Sequence, residues 1–277
     1  MPDPDGRSGE ADADAPRGPR PRDPDPPPGL PYERRLAIFL DIVGWTSAVA
    51  DSASDPARRQ KLLGVLEYVP AAIRQAAFDG IDDGAPRDAF QMSQFSDSML
   101  LSVRLAGPEE AQRATSAMFQ AIATVSQDLL VAELPIRGGV TIGPLFHRDS
   151  VAFGPALVEA HAVESTLATY PRVALARSHA QEILDVMRAG SAPEQPLGRR
   201  RIIDYAPDDL FFVNFLRPIA EMRLTNLNRH FDRFRRPILA GLHAAAGNPA
   251  RHLKYDWLRQ YFNRLLTDYC PGVGGIE

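Results

Sequence analysis

One cysteine, Cys270, stands in 277 residues. That excludes an internal disulfide and a cysteine-rich zinc site, and it fits a reducing, cytoplasmic home. No stretch reaches the roughly 18 uninterrupted apolar residues of a membrane span, and the N-terminus carries no apolar signal core. Basic residues are not in excess: 31 Lys and Arg against 35 Asp and Glu give a net charge of −4. A nucleic-acid scaffold or a membrane-surface protein is therefore not expected, and local arginines must do any phosphate work. Glycine-rich phosphate loops, nucleophile elbows and Cys/His metal clusters are also missing.

Two misplaced charges are what the chain does have. LAIFLDIV, Leu36 to Val43, is an apolar strand-like run with Asp41 inside it. An unpaired carboxylate in a low-dielectric interior costs several kcal/mol, so Asp41 requires a cation, strong hydrogen-bond donors or an exposed strand edge. FQMSQFSDSMLLSV, Phe90 to Val103, sets Asp97 between two β-prone stretches and reads as a hairpin or closely spaced strand pair. At about 4 Å two such carboxylates repel by roughly 4 kcal/mol at an effective dielectric near 20, and a divalent cation reverses the sign. A metal-dependent phosphoryl or nucleotidyl transferase needs this arrangement. The bland alternative is a pair of strand-edge aspartates that cap turns.

The length allows one large domain or two small ones. Residues 1–31 hold ten of the 25 prolines among Asp, Arg and Gly, and a segment this poor in apolar side chains is expected to be disordered. Residues 32–216 form the main domain. Its pattern predicts a helix after the first strand with Asp55 as N-cap and Pro56 at the first helical position. A Gly/Asp-rich turn, Asp79 to Asp88, leads to the Asp97 strands, and a helix from Gly107 or Pro108 to about Leu130 follows. Next come a strand over Pro135 to Gly143, a helix from about Pro155 to Thr169, a strand at PRVALA and a helix at Ser178 to Arg188. A β-rich pair lies around Arg200 to Phe215. The order β-α-β-β-α-β predicts an α+β, ferredoxin-like sheet with helices on one face. Residues 217–277 read as a basic, amphipathic helical extension whose aromatics pack on the domain or a partner subunit rather than on nucleic acid.

LAIFLDIVGWTS resembles the first metal-site motif of class III nucleotidyl cyclases: an apolar strand, then Asp, Ile, any residue, Gly, Phe and Thr or Ser. QFSDSMLL, IRGGVTIGPL before a Gly-Pro turn, and VAFGPALVEAHAVEST follow in the family's order, covering roughly Arg35 to Phe215. RGG at Arg137, FGPALVEAHAVES at Phe153, YPRVAL at Tyr170 and KYDWLRQYFN at Lys254 are most similar to the pyrimidine cyclases of bacterial Pycsar anti-phage systems. The resemblance implies a cytoplasmic homodimer with sites at the subunit interface and two Mg²⁺ or Mn²⁺ ions held by Asp41, Asp97 and the Ile42 carbonyl. It implies a nucleoside triphosphate substrate contacted by Arg137, with Gly139 letting the backbone approach phosphate and Ser93 and Val151 lining the base pocket. Purine cyclases commonly place Lys and Asp at those last two positions, so purine reading is expected to be lost.

UTP is the first expected substrate and CTP the second. An adenylate or guanylate cyclase with an unusual base pocket, or a non-catalytic binding module, are the alternatives. The product is expected to activate a cyclic-nucleotide-sensing effector. Val158 and Ala162 stand where the family carries a helix Asn and Arg. Arg148, Arg172 and Arg199 to Arg201 are candidate replacements, and His161 lies beside the expected ribose site. Trp45, in place of the usual Phe, reads as a core or interface anchor.

Overall fold

The computed structural model describes residues 31–80, 89–188, 202–222 and 227–277. The expected disordered segment at residues 1–31 falls outside them except for Pro31, as do most of the Gly/Asp-rich turn and Arg199 to Arg201. Residues 32–277 make one compact unit.

Strand β1 (Glu33–Ile42) is the middle of the fold. Leu36, Ile38, Leu40 and Ile42 point to one side and are almost wholly buried in the main apolar cluster, whereas Ala37 faces the other side and packs with Ala156 and Ala160. This period of two makes Asp41 a member of the second face, half-buried near the strand's C-terminal end. After a short helix α1 (Trp45–Ser52), α2 (Pro56–Gly80) leads to the hairpin β2 (Phe90–Phe95) and β3 (Ser98–Arg104). Helix α3 (Pro108–Val131) returns the chain to the long strand β4 (Ile136–Arg148). Both β3 and β4 pair antiparallel with β1, giving the order β2-β3-β1-β4 expected of a ferredoxin-like βαββαβ unit. Asp55 caps α2 as expected, its Oδ1 accepting from the backbone N–H groups of Ala57 and Arg58 at 2.9 and 3.1 Å.

Three boundaries differ from expectation. Helix α1 has no counterpart in the sequence pattern; Gly44, at φ 85°, supplies the left-handed residue that swings the chain from β1 into it. Strand β4 does not turn at Gly143-Pro144 but runs on to pair with β5 (Val151–Phe153), because β1 continues beside it with Arg34 opposite Pro144. The helix expected to reach Thr169 is α4 (Pro155–Ala162) followed by one wide π-turn, Val163–Leu167; because Ala156 and Ala160 of α4 pack on the Ala37 side of β1, helices cover both faces of the sheet and not the single face expected. Beyond it β6 (Val173–Leu175) adds parallel to β4 after a crossover. Helix α5 (Ala180–Arg188), β7 (Ile203–Tyr205) and β8 (Phe211–Val213) complete the eight-stranded sheet.

Helices α6 (Arg217–Ala220), α7 (Leu227–Ala244) and α8 (Pro249–Tyr269) bury Phe231, Phe234, Ile238, Leu258 and Phe262 in the same cluster as the sheet. Their aromatics are therefore packing residues. Trp257 of α8 stacks on Tyr170 at 5.8 Å, and the Arg172 guanidinium lies 5.4 and 5.6 Å from those two rings. Arg172 is buried, with Nη1 donating to Asp208 at 2.9 Å and Nη2 donating to the same carboxylate and to the Leu167 carbonyl. This candidate replacement for the missing helix residues is thereby spent on tying α8 to the end of β6.

Candidate active site

The carboxylates of Asp41 and Asp97 converge. Asp97 occupies the two-residue turn Ser96-Asp97 that joins β2 to β3, with Phe95 opposite Ser98 and Ser96 at φ 56°. Trp45, at the start of α1, donates from its indole N–H to Ser96 Oγ at 3.1 Å and is buried, so it anchors the turn that presents Asp97. Burial pushes the Asp97 carboxyl above the usual carboxylate range, and the neighbouring Asp41, which is also its hydrogen-bond partner, pushes it further.

Register supplies the counter-charge. Arg137 of β4 stands directly opposite Asp41 of β1, and its Nε and Nη2 both donate to Asp41 Oδ2 at 3.2 Å. Ser98 Oγ donates to the other oxygen, Oδ1, at 3.3 Å. Arg137 also reaches Glu164 in the π-turn, Nη2 lying 2.7 Å from Oε1 but off the hydrogen-bonding line, so that this oxygen has no hydrogen bond. Glu164 is 3% exposed. Burial pushes its carboxyl up and Arg137 pulls it back, with Asp41 again adding to the rise. Lys254, half-buried on α8, joins the cluster from the C-terminal side. Burial, then Arg137, lowers its ammonium, against the pull of Asp41 and Glu164.

Glu164 and Lys254 are the residues that sequence reasoning missed. A glutamate inside a helix expected to run on to Thr169 carries no sign that a π-turn will roll it inward, although such turns are frequent at functional sites. Lys254 lies inside a quoted motif, but nothing in its spacing reveals that α8 folds back over the ends of β1 and β4.

Gly139 has a packing reason to be glycine. A Cβ there would lie 2.1 Å from the Ala160 carbonyl oxygen and 2.7 Å from Val163 Cβ, so α4 and the π-turn sit on the bare backbone of β4. His161 is exposed, with its ring edge-on to Phe39 at 5.0 Å. Arg148 lies 5.6 Å from the Phe146 ring.

A polar chain ties Ser93 to the turn that leads into Val151. The β4–β5 turn is stapled to β2: Asp149 N–H donates to Gln91 Oε1 at 3.0 Å, and Ser93 Oγ donates to the Asp149 carbonyl at 2.8 Å. Ser93 Oγ also meets His147 Nε2 at 2.9 Å, His147 Nδ1 meets Ser102 Oγ at 2.9 Å, and Arg35 Nε donates to Ser102 Oγ at 2.9 Å. Two residues after Asp149, Val151 is 55% exposed. His147 is 5% exposed, and its burial, followed by the Arg35 charge, lowers its pKa to about 4. An unfolded histidine at about 6.5 takes up its proton first, so this group's contribution to stability is complete above pH 6.5 and is lost as pH falls toward 4. The gap corresponds to about 3 kcal/mol by linkage. Urea titrations between pH 7 and pH 4 are expected to show that loss in the wild-type protein and a correspondingly flatter profile in His147→Gln.

A cleft of about 320 Å³ opens beside the cluster, lined by Val43 and Gly44, the first turns of α1 and α2, and α8; Arg58, Lys61, Arg251 and Lys254 bring cations to it and Asp51 and Glu133 anions. Among the described residues no group of three or more His, Cys, Asp or Glu is arranged to hold a metal ion. The donor set is instead a pair of hard oxygen anions, the Asp97 carboxyl being raised in pKa by its burial and by Asp41, beside a cationic cleft. That fits Mg²⁺ or Mn²⁺, which take one or two protein carboxylates and complete their shells with water and substrate phosphates.

Among the described residues no helix is long and apolar enough to cross a membrane. No family model and no curated protein matches the chain. Solved structures similar to it include the adenylyl cyclase CyaB from P. aeruginosa, with 13% identity over 66% of this chain and 95% of that one at a TM-score of 0.45. An adenylate/guanylate cyclase/hydrolase from Silicibacter pomeroyi matches at 22% identity over 65% of this chain and 97% of that one, at a TM-score of 0.37. A bacterial light-regulated adenylyl cyclase matches at 11% identity over 74% of this chain and 98% of that one, at a TM-score of 0.41.

Proposed function

We propose that this chain is a nucleotidyl cyclase that converts a pyrimidine nucleoside triphosphate, UTP before CTP, into its 3′,5′-cyclic monophosphate and pyrophosphate. The observation that carries the reading is the convergence of Asp41 and Asp97 beneath a cross-strand arginine, a costly arrangement with no evident structural purpose. Asp41, Asp97 and the Ile42 carbonyl would hold two Mg²⁺ or Mn²⁺ ions, which when bound make the ribose 3′-hydroxyl a better nucleophile and offset the charge of the triphosphate.

The chain's own residues supply position and fixed charge. The 3′-oxygen attacks the α-phosphorus, its proton leaves to solvent or to a phosphate oxygen, and the bond to the pyrophosphate oxygen breaks. Arg137, which now bridges Asp41 and Glu164, would donate to phosphate, with Glu164 holding its far side. Lys254, with Arg58, Lys61 and Arg251 of the cleft, takes the β- and γ-phosphates. Because nucleophile and leaving group belong to one substrate, orientation and charge stabilisation account for most of the rate. In a cell the product would serve as a second messenger for a cyclic-nucleotide-sensing effector in anti-phage defence, a reading that rests on the motif resemblance.

The active form would be a homodimer in which each protomer contributes to both sites. Its support is the exposure of apolar side chains on α4 and β5: Val158 at 70%, Val151 at 55% and Phe153 at 46%. Val158→Asp is expected to shift the protein to monomer in sedimentation velocity and to lower cyclase activity by roughly 100-fold, through loss of a site that neither protomer completes alone. A second reading, a binding module without catalysis, draws on the ion pair that occupies Asp41 and on Val158 and Ala162 at the helix positions. Incubation with all four triphosphates and Mn²⁺, followed by mass spectrometry, separates the readings. Cyclic UMP or cyclic CMP is expected; cyclic AMP or cyclic GMP as the main product rejects the pyrimidine assignment, and no product rejects catalysis.

A further inference from the structure

The polar chain behind Ser93 has a direction. A carbonyl can only accept, so the single proton of the Ser93 hydroxyl is committed to the Asp149 carbonyl at 2.8 Å. The 2.9 Å contact between Ser93 Oγ and His147 Nε2 must then have the imidazole as donor. A neutral imidazole owns one N–H, so Nδ1 accepts from Ser102 Oγ, whose own oxygen is held by Arg35 Nε. An imidazolium at this position would point a second N–H at a hydroxyl already turned toward it by Arg35, and His147 has almost no contact with water.

We infer that His147 is a positioning residue that fixes Ser93 as a pure acceptor, so that a nucleobase bound there must present an N–H group to it. The inference rests on the reading of Ser93 and Val151 as the base-facing positions of a nucleotide site. The hydroxyl has accepted one hydrogen bond and donated its proton, which leaves one lone pair for a ligand. A ring nitrogen with a bare lone pair would meet it lone pair to lone pair. A base edge carrying N–H completes it, as uracil does with N3–H and cytosine with its exocyclic amine; adenine's amine and guanine's N1–H are donors too, so the acceptor selects which edge a base presents in its pose. Left to itself, a serine hydroxyl would rotate to suit either kind of edge, and discrimination would be weak; the histidine removes that freedom. Arg35, buried in β1 and also donating to the Ala89 carbonyl at 2.8 Å, anchors the far end of the chain in the sheet.

The test has two independent arms on the full chain. Histidine-labelled protein at pH 7 is expected to show a ¹⁵N pattern with Nε2 protonated and Nδ1 bare, assigned by its loss in His147→Gln; the opposite tautomer, or an imidazolium, overturns the inference whether or not the protein is a cyclase. Steady-state kinetics on UTP, CTP, ATP and GTP form the second arm. His147→Leu and Ser93→Ala are each expected to raise KM for the preferred nucleotide roughly 10-fold and to flatten the selectivity among the four, with kcat little changed. His147→Gln, which keeps an N–H toward Ser93, restores selectivity, and the double variant is no worse than either single one. The preferred nucleotide methylated at its N–H edge loses binding to the wild-type protein and is indifferent to Ser93→Ala. Unchanged selectivity in His147→Leu, losses that multiply in the double variant, or full binding of the methylated nucleotide would each sink the idea. A protein that turns over no triphosphate removes the cyclase reading, and the tautomer measurement then still decides the direction of the chain.

Discussion

Asp41→Asn and Asp97→Asn are each expected to lower cyclic nucleotide formation at least about 1000-fold, the equivalent of about 4 kcal/mol in the barrier. Both variants are expected to keep the wild-type circular dichroism spectrum. The two should differ in stability, and the difference follows from which partners each carboxylate has. Asp97 is held near another anion by its turn, and burial and Asp41 both raise its pKa above the unfolded value. For an acid raised on folding, the native state is favoured at low pH and loses that advantage as pH climbs through the folded value. Removing the charge at pH 7 therefore raises the melting temperature while ending activity, the pattern of a site that gives up stability for function. Asp41, by contrast, accepts from Arg137 and Ser98, so its replacement strips the guanidinium of one carboxylate and lowers the melting temperature. Mn²⁺ is expected to raise the melting temperature of the wild-type protein and of neither variant to the same extent. An Asp97→Asn protein with unchanged product formation and unchanged response to Mn²⁺ would remove the paired-carboxylate site from the account.

How far the sequence speaks depends on the scale of the interaction. The alternation Leu36, Ile38, Leu40, Ile42 tells which side of β1 is core, and it forces Asp41 onto the other side; strand pairing follows from such local patterns, and the order β2-β3-β1-β4 follows from the order of elements. Asp97 is legible because a charge between two short β-prone runs belongs in a turn. What the pattern does not carry is what depends on cross-strand register and on wide turns. Arg137 reads in the sequence as a phosphate ligand, yet the register sets it opposite Asp41, and only pairing resolved residue by residue reveals that. Glu164 enters the site through one extra residue in a helical turn, and Lys254 through the packing of Trp257 against Tyr170 more than 80 positions earlier. Ser93 and His147 look unrelated because a strand side chain has no local signal for the hydrogen-bond partner it will meet across the sheet.

Gly139→Ala is expected to damage both stability and activity, for a mechanical reason. The added methyl would stand 2.1 Å from the Ala160 carbonyl oxygen, 2.7 Å from Val163 Cβ and 2.8 Å from the Glu164 backbone nitrogen. None of those atoms is the loose end of a side chain, so α4 and the π-turn must lift from β4 as a unit. Overpacking of this kind costs about 1–3 kcal/mol and more where backbone must move. The lift has a chemical consequence, because Glu164 rides on the displaced turn and lies 2.7 Å from Arg137 Nη2. A guanidinium deprived of one of its two carboxylates turns more fully to Asp41 and competes better with incoming cations. Gly139→Ala is therefore expected to melt several degrees lower, to need more Mn²⁺ for half-maximal activity, and to lose kcat roughly 100-fold. A glycine whose role was to let phosphate approach the backbone would behave differently: raised KM for the nucleotide, with melting temperature and metal requirement unchanged. Thermal melts and a Mn²⁺ titration on one variant thus distinguish a packing glycine from a phosphate-facing one. A Gly139→Ala protein as stable as the wild type would show that α4 does not rest on this strand as described.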